Sequence, residues 1–186
     1  MAIAQAAPGA LDPQDPDSAE AQRLAAALQA LLPSFNFPRQ SNSGGGDHVR
    51  AAQLRGLSPD QVLVLVNGKR RHTSALVNVN GFVGRGAVSI DLNAIPGSAI
   101  GRVEVLRDGA SAQYGSDAIA GVLNFRLRTD RSGGTLIARY GQFYAGDGED
   151  VLVQGNIGLP LTASGFLNVS GEYTNSKATS RQIQRP

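Results

Sequence analysis

Cysteine is absent from these 186 residues. That excludes disulfide staples, thiolate metal sites and cysteine nucleophiles, and it leaves the compartment open because many envelope proteins also lack the residue. Histidine is nearly absent as well: His48 and His72 lie in different segments, with neither an i, i+4 partner nor a neighbouring cysteine, so metal-ligand spacing is missing. Charge of one sign is lacking, since 17 basic residues face 15 acidic ones, and a net +2 makes no electrostatic case for nucleic acid despite a pI of 9.3. No apolar run reaches the length of a membrane-spanning helix, and the start MAIAQAAPGA has neither a basic n-region nor a long apolar h-region, so it carries no export signal. Aromatic residues make up only 5% beside 23 glycines, which favours turns and strands over a helix bundle. With 41% hydrophobic and 17% charged residues the chain has material for a core, enough for one domain or a small domain plus an attached piece.

What is present is concentrated between Arg102 and Arg128, RVEVLRDGASAQYGSDAIAGVLNFRLR. Val103 and Val105 alternate with Glu104 as a half-buried strand requires, and Asp108-Gly109 supplies turn residues able to take positive φ, so the strand is expected to stop at Asp108. Small residues from Ala110 to Ala120, around Tyr114 and Ile119, suit a close-packed helical elbow, and Val122 to Leu127 reads as a second strand. Upstream, Gln53 to Arg55 is expected as a short strand and Val62 to Val66 as one buried on both faces, with Asn67-Gly68 as a tight turn into Lys69 to His72.

A helix is expected from about Ser18 to Leu32, with Leu24, Leu28 and Leu31 at helical spacing, a start signal in Asp17 and Glu20, and Pro33 as its stop. Ser34 to Asp47, including Gly44 to Gly46, reads as a turn region without the Gly-Lys-Ser/Thr of a phosphate loop. Leu76 to Ser89 reads as a mobile surface loop, because the spacing of Gly81, Gly84 and Gly86 is wrong for a dinucleotide fingerprint. Ile95-Pro96 opens a short helical turn.

Beyond Thr129 to Gly134 the pattern changes to two-faced strands. Val151, Val153, Ile157 and Leu159 oppose Gln154, Asn156 and Gly158; Leu167, Val169 and Tyr173 oppose Asn168, Ser170 and Glu172. Thr135 to Tyr144 follows less cleanly, with Leu136, Ala138 and Tyr140 against Thr135, Ile137 and Arg139. Each strand is about 8 to 10 residues, the length a tilted strand needs to cross a bilayer.

No catalytic constellation emerges. Ser111, Ser116 and Asp117 lack G-x-S-x-G and a nearby histidine, and Ser116 reads as a cap on a short turn. Asp147, Glu149 and Asp150 depart from EF-hand spacing and read as a solvated hairpin tip. The chain is therefore read as a non-enzyme, with no catalytic, cofactor-binding or metal-binding residues assigned.

The Arg102 to Arg128 unit, with QLRG at Gln53 to Gly56 and VLVLVNGKR at Val62 to Arg70 in the same order, closely resembles the plug domain of TonB-dependent outer-membrane receptors. The resemblance covers Leu24 to Arg128. It implies an α+β fold: a small mixed-sheet plug domain with short helices, followed by about three antiparallel strands of an incomplete transmembrane β-barrel. The expected division is a polar lead at 1–17, a plug at 18–130 and the start of the barrel at 134–186. It implies a plug seated in a roughly 22-stranded barrel, in the outer membrane, gating uptake of a siderophore, cobalamin, haem or glycan with energy from TonB. The signal peptide and TonB box are expected upstream of Met1. Asp108 stands where many members have Gly. Arg55, Glu104 and Arg107 are then candidates for contacts between plug and barrel, with Arg102 less favoured; the alternative is ordinary charges on a solvated sheet face. Arg70, Arg71 and His72, with Asn78, Asn80 and Arg85, are candidates for loops facing a small-molecule or metal-chelate ligand. A soluble periplasmic binding or adaptor module with a plug-like fold is the rival reading.

Overall fold

The computed structural model describes residues 2–4, 28–30, 32–38, 49–79, 83–107, 109–177 and 179. The chain divides into two compact units, one holding residues 23–95 and 100–128 with the first seven, the other holding 96–99 and 129–186 with residues 8–22.

The first unit is built on a five-stranded sheet. Its strands are β1 (Ala2–Ala4), β4 (Val62–Val66), β5 (Lys69–Arg70), β6 (Ile100–Leu106) and β7 (Gly121–Leu127), in the order β1-β6-β7-β4-β5. The separate pair β2 (Phe35–Asn36) and β3 (Gln53–Leu54) aligns Phe35 with Leu54. β7 lies at the centre, parallel to β4 from Val62↔Gly121 to Val66↔Phe125 and antiparallel to β6 from Arg102↔Arg126 to Leu106↔Val122. A strand paired on both edges and covered on both faces must be apolar on both, which accounts for the unbroken Val62 to Val66 run.

One face carries Val62, Val64, Val103, Val105, Leu123 and Phe125 against Leu28, Leu32, Phe35 and Leu54. The other packs Leu63, Leu65 and Val122 beneath Ala110 and Ala118. Residues 28–30 are helical, and the Leu32 amide donates to Leu28 O at 2.7 Å before Pro33 ends the turn; Leu24, Leu31 and the start signal at Asp17 and Glu20 lie outside the described residues.

β6 runs from Ile100 to Leu106, ending short of the stop that the turn residues Asp108-Gly109 suggest. The elbow is a five-residue helix α1 (Ala110–Tyr114) and a 3-10 turn (Ser116–Ala118), separated by Gly115 at φ 91°, ψ −170°. Ser116 does not cap the turn: Gly115 is the N-cap, and the Ser116 hydroxyl donates to Asp117 Oδ1 at 3.4 Å. The loop expectation for Leu76 to Ser89 is also corrected. Val77 and Val88 form an antiparallel bridge, the Asn78 amide donates to Ala87 O and the Gly86 amide to Asn78 O, and Asn78, Ala87 and Ser89 are buried. Backbone that folds back on itself satisfies its own polar groups and can be buried.

The second unit contains a meander of β8 (Gly134–Gly141), β9 (Asp150–Pro160) and β10 (Phe166–Ser176) in the order β10-β9-β8. Pairings such as Leu136↔Gly155, Ala138↔Val153 and Val169↔Ile157 put most apolar side chains of the three strands on one face, with Ile137 and the buried Leu152 on the other. That face is the open one: Leu136 is 78% and Tyr140 65% exposed, whereas Gln154 on the opposite face is 1% exposed. The covered face holds polar groups in contact with one another: Arg139 Nη2 stands 2.9 Å from Asp150 Oδ2, and the Asn156 amide donates to Ser170 Oγ at 2.7 Å and to Asn168. A water-soluble sheet has the reverse distribution. Among the described residues no helix is long and apolar enough to cross a membrane, which does not bear on strands.

Gly121, where β7 begins, has φ 141°, and a β-carbon there would stand 2.6 Å from Leu106 O. Gly121→Ala is expected to lower stability by about 2 kcal/mol or more, read as a reduced denaturant midpoint; an unchanged midpoint would show that the β6 end relaxes freely.

Candidate functional site

The face of the first sheet that carries Leu63, Leu65 and Val122 becomes polar toward its other end. There the cross-strand pairs are Glu104↔Asn124 and Arg102↔Arg126. Glu104 Oε1 accepts from Arg102 Nε at 3.0 Å and lies 2.9 Å from its Nη2, with Arg126 Nε at 4.0 Å. Glu104 Oε2 accepts from the Asn124 amide at 2.8 Å. The carboxylate is less exposed than either guanidinium, at 17%, against 51% for Arg102 and 42% for Arg126. Burial by itself pushes the Glu104 carboxyl up, but hydrogen bonds from Arg102 and Asn124 and the charges of Arg102 and Arg126 outweigh it and hold the group below its ordinary value.

Asn124 links this cluster to the β4–β5 turn. Its Oδ1 accepts from the Gly68 amide at 2.9 Å. Asn67 and Gly68 have φ 50° and 81°, the left-handed pair of a type I′ hairpin turn. Asn67 is held from β7 as well, its amide donating to Phe125 O at 2.9 Å and its Oδ1 accepting from the Leu127 amide at 3.0 Å. The Asn-Gly dipeptide thus shapes its own turn and docks that turn on β7.

Across the turn, Arg70 reaches the elbow. Its Nη1 lies 2.5 Å from Asp117 Oδ2 and its Nη2 donates to Tyr114 O. Arg70, Arg71, Thr73, Asp60 and Asp117 line a cavity of about 240 Å³ whose apolar floor includes Leu63.

The structure distributes the sequence candidates unevenly. Glu104 is engaged, but with Arg102 and Arg126; Arg107 lies past the end of β6, exposed, on the opposite parity of the strand. Arg55 stands at φ 58° in a turn with Gly56, its amide donating to Ser34 O, and its side chain is exposed. Arg70 and Arg71 come together at the cavity, His72 is exposed beside them, and Arg85 is exposed at its loop tip. Asn78 is 5% exposed and its backbone serves the Val77–Val88 bridge, which does not suit a ligand-facing side chain. Asn80 and His48 lie outside the described residues. Asn124 and Arg126 were missed; their signal was the spacing of two polar residues at alternate positions in VLNFRLR, the same parity as Val122. Among the described residues no three His, Cys, Asp or Glu cluster as a metal site.

The folded-state pKa of Glu104 is depressed, so its contribution to stability is complete above the ordinary glutamate value near 4.3 and fades as pH falls through the folded value. Glu104→Gln is expected to flatten the acid limb of the stability-against-pH curve below about pH 4.5. A variant curve parallel to the parent in chemical denaturation between pH 3 and 6 would refute this.

Comparison with known proteins addresses the same segments. Residues 5–122 match the family described as the TonB-dependent receptor plug domain. The ferric enterobactin receptor PirA of Pseudomonas aeruginosa is 36% identical over 107 residues, 56% of this chain and 14% of the relative. The vitamin B12 transporter BtuB of Vibrio cholerae is 32% identical over 151 residues, 80% of this chain and 22% of the relative. Among solved structures, a variant of the ferric enterobactin receptor PfeA of Pseudomonas aeruginosa in complex with enterobactin superposes with a TM-score of 0.59 at 24% identity, covering 83% of this chain and 22% of that one, a likeness of fold. The matched part of the chain thus spans between about a seventh and a little over a fifth of the length of these proteins. With the plug match extending over well over half its length, the chain belongs to the TonB-dependent receptor family.

Proposed function

We propose that residues 18–130 are the plug, and 134–186 the first barrel strands, of an outer-membrane receptor that gates energy-coupled uptake of a scarce ligand. The observation that carries this reading is the inverted second unit. Three strands of 8, 11 and 11 residues with their apolar face open and their polar face covered suit a wall with lipid on one side and a filled lumen on the other. The plug resides in that lumen, since a barrel of roughly 22 strands would otherwise leak. TonB, engaging a segment N-terminal to the plug, supplies the energy.

The ligand is a siderophore, cobalamin, haem or glycan; relatives named for enterobactin and for vitamin B12 support the class and do not select within it. Arg70, Arg71, His72 and Arg85 are the ligand-facing side chains we retain, and Arg55, Glu104 and Arg107 the plug-to-barrel contacts. The role is that of a receptor, without catalysis.

Cells producing the chain in its native reading frame are expected to carry it in the detergent-resistant outer-membrane fraction. Recovery from the osmotic-shock fluid as a soluble protein would instead establish the periplasmic adaptor. In the receptor, replacing Arg70, Arg71 and His72 together by Gln is expected to weaken ligand capture at least several-fold while leaving assembly intact; unchanged capture would place the ligand elsewhere.

A further inference from the structure

Arg70 does more than cap a hairpin. Its guanidinium bonds Tyr114 O on one side of Gly115 and Asp117 on the other, so one side chain straps both halves of the elbow across the glycine that separates them. Gly115, at φ 91° and ψ −170°, occupies a backbone region open essentially to glycine alone. The kink therefore has no side chain of its own to hold it. Backbone bonds from Gly115 N to Ser111 O at 2.9 Å and from Ala118 N to Gly115 O at 3.1 Å complete it.

The strap is accessible. Arg70 and Asp117 side chains are 51% and 57% exposed, and an ion pair this open is weak enough for a competing anion to displace. A guanidinium has five N–H donors in a planar fork, of which the bonds to Asp117 and Tyr114 leave several unused. Arg71, half-buried, lines the same cavity of about 240 Å³, as do Thr73 and, opposing an anion, a second carboxylate in Asp60. Two adjacent arginines at a small recess are suited to bidentate capture of an oxyanion.

We propose that the recess bounded by Arg70, Arg71, Thr73 and Asp117 is an oxyanion site, and that an anion seated there takes Arg70 from Asp117 and loosens the elbow at Gly115. This rests on the reading of Arg70 and Arg71 as ligand-facing and gives that site a ligand chemistry, a carboxylate or phosphate group, together with a conformational consequence. No covalent step is involved; one ion pair is exchanged for another.

The test uses the full chain in detergent micelles with inorganic phosphate as probe and sodium chloride at matched ionic strength as the screening control. Side-chain Nε resonances of Arg70 and Arg71 report binding, and hydrogen exchange at the Gly115 and Ala118 amides reports the elbow. The Asn67 amide, bonded to Phe125 O, serves as the fold reference. Phosphate, and not chloride, is expected to shift both arginine signals and speed elbow exchange about five-fold, the equivalent of one surface ion pair. Asp117→Asn should speed the same amides without phosphate and tighten phosphate binding, and Arg71→Gln should weaken phosphate binding while leaving the resting elbow protected. Equal effects of chloride, arginine shifts without elbow loosening, or an Asp117→Asn elbow protected as in the parent would each overturn the proposal. The triple Gln variant separates it from the wider reading: normal ligand capture by that variant would remove the ligand-facing role while the phosphate result stood on its own.

Discussion

The first unit depends on one constraint: β7 must pair on both edges at once, parallel with β4 and antiparallel with β6. A central strand has no solvent to satisfy its backbone, so its register on each side is set by a full ladder, and each side chain is committed to a face. Leu123 and Phe125 enter one core, Val122 the other, and Asn124 and Arg126 continue the second face into the charged cluster. Gly121 admits the strand beside Leu106 O, and the Asn67 turn is tied to it at the other end. Both the Glu104 cluster and the Arg70 strap are positioned by hairpin and elbow segments that hang from this strand.

Polar side chains complete what the ladder starts. Asn124 accepts from the Gly68 amide and donates to Glu104, so a neutral amide joins a turn to a carboxylate and fixes its own orientation in doing so. Glu104 between Arg102 and Arg126 is a carboxylate with two cations, and its surroundings favour the charged form in spite of partial burial. The cluster leaves surplus positive charge at the open end of the sheet. The second unit follows a different rule: its covered face carries bonded polar pairs such as Arg139 with Asp150 and Asn156 with Ser170 beside a buried Leu152, and most of its apolar side chains are left open. That distribution suits a solvent that is itself apolar.

Local chemistry was legible without coordinates. Five consecutive Val and Leu residues bounded by Asn67-Gly68 encode a buried strand and a left-handed turn. The period-two alternation of β9 and β10 put the residues it assigned, such as Val153 and Ile157 against Gln154 and Asn156, on the correct one of two faces. The family, too, was readable, because its three motifs are each short and local. Where the reading departed from the structure, a contact from elsewhere decided. The Leu76 to Ser89 segment looked solvated by composition and is partly buried because its backbone pairs with itself.

The sequence by itself determined which segments are strand, turn and elbow, since those depend on side-chain period, β-branching and the φ freedom of a few glycines within a handful of residues. Only the tertiary structure decided partners: Glu104 with Arg102, Asn124 and Arg126, the Gly68 amide with Asn124 across 56 positions, Arg70 with Asp117 across 47. The physical reason is that alternation assigns a residue to a face but carries no information on which strand lies alongside. Register across a crossover is set by the packing of two whole faces at once, and no local run of residues contains it.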